Sequence, residues 1–180
     1  NLGYEEFTVT LGSAPTGTVV VNVVSDDTTE GTVSVSQLTF NASNWSTPQT
    51  VRVTGVNDDV DDDDINYHVN LSINKALTGD LSGYENAIQA VVNAVNRDND
   101  VAGITVSAIS RHTTEGLQTA TFTVKLKTQP VDNVSFDLLT SDATEGTVTS
   151  SSTLTFTSAN WNTNQRVTVT GLNDDIDDGD

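Results

Sequence analysis

The densest chemistry in the chain is the run Asn57-Asp58-Asp59-Val60-Asp61-Asp62-Asp63-Asp64, which returns as Asn173-Asp174-Asp175-Ile176-Asp177-Asp178-Gly179-Asp180. Six acidic residues stand in the first run and five in the second, out of 25 in the chain. Carboxylates held within a few ångströms of one another repel unless they are protonated, well hydrated or joined by a cation. A hard cation is one resolution, because calcium takes six to eight oxygen ligands and short Asp/Asn loops supply them. The other is a solvated acidic turn that keeps a surface soluble. An acidic run by itself leaves both readings open.

Other chemistries find less support. The chain has two histidines and no cysteine, so a thiolate centre is impossible and a zinc site at His68 or His112 lacks further ligands. No Gly-x-Ser-x-Gly elbow is present, His112 has no catalytic context, and the reading is of a non-enzymatic chain. Trp45 and Trp161, each following an Asn, could stack on a sugar, but a Trp that recurs once per repeat reads first as a packing anchor. The formal charge of −18 over 180 residues disfavours nucleic acid and anionic membranes. No apolar run approaches 18 residues, so membrane insertion is not expected, and no export signal opens the sequence.

Strands must position the acidic runs. Phe7-Thr8-Val9-Thr10-Leu11 alternates apolar with polar residues, Val19 to Val24 is apolar enough for a central strand, and Leu38-Thr39-Phe40 is a short strand ahead of Asn44-Trp45. Gln49 to Val56 alternates and delivers the chain to the acidic loop, and Tyr67 to Ile73 leads away from it. Ala87 to Val95 is long enough for a helix, but its Val-Val pair and strand-rich surroundings favour a strand. The chain then repeats itself. Leu38-Thr39-Phe40, Asn44-Trp45 and Val51 to Thr54 return 116 residues later, and Thr29-Glu30-Gly31-Thr32-Val33 returns 115 residues later. A period of that length is a domain, which predicts two units, residues 1–100 and 101–180. By this offset the first unit lacks a partner for the strand Ile104 to Ser107, and the second lacks partners for residues 65–100. Neighbouring sequence or another chain is expected to complete both.

In order along the chain, Val23 to Glu30, Leu38-Thr39-Phe40, Val51-Arg52-Val53, the loop 57–64 followed by Tyr67, and Asp98-Asn99-Asp100 resemble the Calx-beta domain. The wording Glu-Gly-Thr-Val, Asn-Trp and Val-Thr-Gly-Leu-Asn-Asp-Asp is most similar to repeats of large bacterial surface proteins. The resemblance implies tandem immunoglobulin-like antiparallel β-sandwiches with Ca2+ bound in loops at one end. Carried over by position, it makes Glu30, Asn57, Asp58, Asp62, Asp98 and Asp100 ligands in the first unit, and Glu115, Glu145, Asn173, Asp174 and Asp178 in the second. Asn57 stands where the family usually has an Asp, and Ile65 where calcium-sensing members carry another acid, which argues against a tuned sensor. The function implied is a calcium-stiffened structural repeat of an extracellular adhesin, surface protein or filament, partnered by neighbouring repeats or other copies. The alternative is a cell-adhesion module that recognises a glycan or a protein at the cell surface, with calcium-sensing regulation as a third reading.

Overall fold

The computed structural model describes residues 3–84 and 89–175. The described chain is all-β apart from one four-residue helix, α1 (Leu81–Tyr84), and every strand pairing is antiparallel. Two compact units emerge: residues 1–58 with 62–98, and residues 59–61 with 99–180. The chain thus passes from one to the other after Asp98, two residues before the expected boundary.

In the first unit, β1 (Tyr4–Val9), β5 (Gln49–Gly55) and β3 (Gly31–Val33) form one sheet in that order. The other sheet runs β4 (Gln37–Phe40), β2 (Val19–Ser25), β6 (Ile65–Ile73), β7 (Ala90–Asn96). Alternation drives this arrangement: on β6, Tyr67, Val69 and Leu71 are buried while Asn66 and His68 face solvent. They meet Val51 and Val53 of the opposite sheet in one core with Val19, Val21, Val23, Leu38 and Phe40. Each buried Val or Leu contributes about 1.5–3 kcal/mol, so the shared core makes the unit a β-sandwich. β7 begins within the stretch expected to be strand; Ala87 and Ile88 lie outside the described residues. The expected loop at Gly79 to Tyr84 instead contains α1, started by the Asp80 carboxylate accepting the Gly83 N–H at 3.4 Å.

In the second unit, β11 (Gly146–Val148), β13 (Gln165–Gly171), β9 (Thr119–Leu126) and β8 (Ile104–Val106) form one sheet, and β10 (Val134–Asp137) with β12 (Thr153–Phe156) forms the other. Val124, Leu126, Leu154, Phe156 and Val167 make its core, with Trp161 packed against them as an anchor. Phe136 and Phe156 meet edge to face, centroids 6.0 Å apart.

The hydrogen bonds follow the sequence repeat. Leu11 N–H donates to the Trp45 carbonyl and Leu126 N–H to that of Trp161, while Gln49 and Gln165 donate to the carbonyls of Thr39 and Thr155. Val23 N–H to Ser36 O returns as Leu138 N–H to Ser152 O, and Ser34 N–H to Arg52 O as Thr149 N–H to Thr168 O. The residue that changes the offset from 115 to 116 therefore lies between Thr149 and Ser152, where the chain crosses from one sheet to the other.

Candidate metal centre

Glu30 ends the turn between β2 and β3, and its position is fixed on both sides. Asp27 accepts the Thr29 N–H at 3.0 Å and the Thr29 hydroxyl, which stabilises its charge and holds its carboxyl below the usual range. The Glu30 carbonyl then accepts the N–H of Val56, the residue that leads from β5 into the acidic loop. Gly31 allows the close approach of Tyr67: a Cβ there would lie 2.0 Å from the phenol oxygen. Glu30 beside it is only 8% exposed, and burial together with the Glu30 and Glu5 charges pushes the Tyr67 hydroxyl pKa up.

Asn96, at the end of β7, completes the support. Its amide donates to Glu30 Oε2 at 3.1 Å and to the Val56 carbonyl at 2.6 Å, packed against Gly55, where a Cβ would meet its Oδ1 at 2.6 Å. Asn96 is the functional residue that the sequence reading missed. Its only signal was its place at the end of a strand, beside an Asp-rich segment that drew attention to Asp98 and Asp100 instead.

The loop 57–64 brings two more carboxylates to Glu30. One ligand oxygen from each of Glu30, Asp58 and Asp62 lies within 4.8 Å of the others. Two oxygens each about 2.4 Å from a common ion can be at most about 4.8 Å apart, so the spacing fits a shared hard cation. The donor set is all oxygen, as a hard cation requires. This is the sole such cluster among the described residues, and it can hold a metal ion. Loss of hydration, then the charges of Glu30, Asp58 and Asp98, raise the Asp62 pKa above its ordinary value.

Other acidic residues, in the loop and after β7, hold the loop backbone. Asp98 Oδ2 accepts the N–H groups of Asp62 at 3.2 Å and Asp63 at 3.3 Å; Asp64 in return accepts the Asp98 N–H at 3.1 Å and pairs with Arg97 at 3.3 Å. Asp63 adopts a left-handed φ of 66°, which Asp tolerates better than most residues. Asp61, grouped with the second unit, accepts the Ala102 N–H at 2.7 Å. Of the ligands that the resemblance implies, the structure gathers Glu30, Asp58 and Asp62 and uses Asp98 beside them to tie down the loop. The Asn57 amide donates to the neighbouring Asp58 carbonyl at 2.8 Å. Asp100 belongs to the second unit and faces the Asn99 amide at 3.4 Å.

In the second unit the same turn forms, and among its described residues no acidic cluster of this kind is found. Asp142 caps Thr144 as Asp27 caps Thr29, its pKa lowered for the same reason, and Leu172 N–H donates to the Glu145 carbonyl. Glu145, however, is exposed where Glu30 is buried. Glu115 is exposed in the turn between β8 and β9, and Asn173 and Asp174 follow β13. Asp178 lies outside the described residues.

The raised Asp62 pKa has a testable sign. A carboxyl whose folded pKa exceeds its unfolded value, near 3.8 here, favours folding below that value and loses the advantage as pH rises through the folded pKa. In chelator at neutral pH, Asp62→Asn is therefore expected to raise the melting temperature of the first unit. The gain should shrink as pH falls through the folded pKa and vanish below 3.8; a gain independent of pH would contradict the crowding.

Fold and site together define an all-β chain of sandwich character with, among the described residues, one acidic loop cluster that could hold a metal ion. Compared with known proteins, it matches no family model and no curated sequence. Among the described residues no helix is long and apolar enough to cross a membrane.

Proposed function

We propose that the chain is a structural module of tandem immunoglobulin-like sandwiches, similar to Calx-beta repeats, in which Ca2+ stiffens an extracellular surface protein, adhesin or filament. The observation that carries this reading is the convergence of Glu30, Asp58 and Asp62 within 4.8 Å, with the Asp62 carboxyl pKa raised by loss of hydration and then by its acidic neighbours. Such crowding opposes folding without a counter-ion and favours it with one. Calcium suits the site because loop carboxylates and carbonyls satisfy its flexible coordination, whereas magnesium demands a tighter octahedron. The ion supplies charge neutralisation and a fixed point, not chemistry on a substrate. Glu30 and Asp58 anchor it to β3 and β5, and Asp62 draws in the loop that Asp98 holds. Asp98 is also the residue after which the chain leaves the first unit, so a bound ion restrains the start of the connection.

The test is thermal unfolding in excess calcium, magnesium or chelator at matched ionic strength. An ion binding only the folded state at 100 times its Kd stabilises by about 2.7 kcal/mol. For a unit of this size that raises the melting temperature by on the order of 10 °C. Calcium should produce the rise and magnesium should not. Equal melting in calcium and chelator would make the acidic loop a solvated surface and end the proposal.

A further inference from the structure

The β10 edge of the second unit differs from its counterpart in the first. Equivalent backbone hydrogen bonds align β10 with β2 at an offset of 115, so that Val134, Phe136 and Leu138 correspond to Val19, Val21 and Val23. In the first unit those valines are 0%, 5% and 1% exposed, covered by β6, which pairs along β2 from Val21↔Ile73 to Ser25↔Val69. In the second unit Val134, Phe136 and Leu138 are only partly buried, and Leu139 is 90% exposed. Among the described residues β10 pairs with β12 alone. A strand edge that offers free backbone groups beside a half-covered apolar face is suited to accepting another strand.

A cleft marks the same absence independently. It is lined by Leu126, Pro130, Val131, Val134 and Phe136, among others. The corresponding part of the first unit is filled by the loop that follows β6. There Asp80 accepts the Thr16 N–H at 2.7 Å, the Thr78 hydroxyl accepts the Val20 N–H at 3.1 Å, and Tyr84 donates to the Ser13 carbonyl at 2.6 Å. Thr16 corresponds to Val131, which is 84% exposed. Edge and cleft are thus contiguous and fit one occupant.

We infer that β10 and this cleft form an acceptor for a polypeptide of the β6 type: an extended strand with large apolar residues at alternate positions, followed by a loop carrying Thr-x-Asp. Carried over from the first unit, the register pairs Phe136 with a residue equivalent to Ile73, Leu138 with Leu71 and Leu139 with Asn70. The outward N–H groups are those of Ser135, Asp137 and Leu139. No metal is needed, so this inference stands or falls apart from the calcium proposal.

The probe is a peptide of residues 65–96 on a soluble carrier, added to the whole chain. Saturable one-to-one binding is expected, with hydrogen exchange at Ser135, Asp137 and Leu139 slowed by on the order of tenfold or more. Leu139→Pro, which removes an outward N–H and leaves the β12-facing bonds, should abolish it. Because the chain has no cysteine, Leu139→Cys can be oxidised against peptide carrying Asn70→Cys or Ser72→Cys; only the first should cross-link efficiently. Equal cross-linking of both peptides, unchanged exchange at millimolar peptide, or prior protection of these amides by dimers of the chain alone would each overturn the inference.

Discussion

Gly31→Ala will destabilise the first unit by about 2–3 kcal/mol, while Gly146→Ala, in the same Glu-Gly-Thr-Val sequence, will leave the second nearly unchanged. The difference lies in what each glycine faces. A Cβ on Gly31 falls 2.0 Å from the Tyr67 oxygen and 2.2 Å from its ring, whereas on Gly146 the nearest atom is 3.5 Å away. The phenol cannot yield cheaply, because Tyr67 is buried in the core with Val69 and Leu71. Each unit carries a single tryptophan, so Trp161→Phe and Trp45→Phe backgrounds report the two unfolding transitions separately. A fall of about 10 °C through Trp45 for Gly31→Ala, against a degree or two through Trp161 for Gly146→Ala, is the expected pattern. Equal effects would mean that Tyr67 does not occupy the space above Gly31.

Glu30→Gln will have opposite effects with and without calcium. A glutamine keeps an oxygen for the Asn96 amide, which donates to Glu30 Oε2, so the local packing survives. In chelator the substitution removes one of the charges that raise the Asp62 pKa, and the first unit should melt higher than the parent. In calcium it removes a full ligand charge, and affinity should fall on the order of tenfold or more. The calcium-induced rise then shrinks or disappears at concentrations that saturate the parent. Glu145→Gln, at the equivalent but exposed position and outside the acidic cluster found among the described residues, should leave the calcium-induced rise of the first unit unchanged. Destabilisation by Glu30→Gln in both conditions would make Glu30 a structural residue only, and an equal loss from Glu145→Gln would relocate the site.

Why the sequence revealed the strands but only part of the site follows from range. Alternation is local, and in Tyr67-His68-Val69-Asn70-Leu71 it reports the buried face of β6 directly. The Leu-Thr-Phe and Asn-Trp repeats showed that two units share a plan, and their matching hydrogen bonds agree with that offset. Glu30 and the acidic run could be named because their types are rare together. Their convergence depends on pairings across dozens of residues, which no local window contains. Asp58 and Asp62 turn toward Glu30 while Asp61 and Asp64 bind backbone N–H groups, and identical residue types cannot reveal that division. Asn96 was missed because an amide at a strand end looks ordinary until Glu30 and Val56 are placed against it.

The extra residue between Thr149 and Ser152 has a practical consequence. It is absorbed where the chain steps between sheets, and the pairings on either side keep their partners. The added residue is held rather than loose: the Ser150 hydroxyl accepts the Thr168 N–H at 3.1 Å, and the Ser151 hydroxyl donates to the Thr153 carbonyl at 2.6 Å. The crossing thus absorbs a one-residue change in length while both sheets stay anchored. Searches for further copies of this unit should let the period vary by a residue at that junction, because a rigid spacing would read one continuous pattern as two unrelated halves.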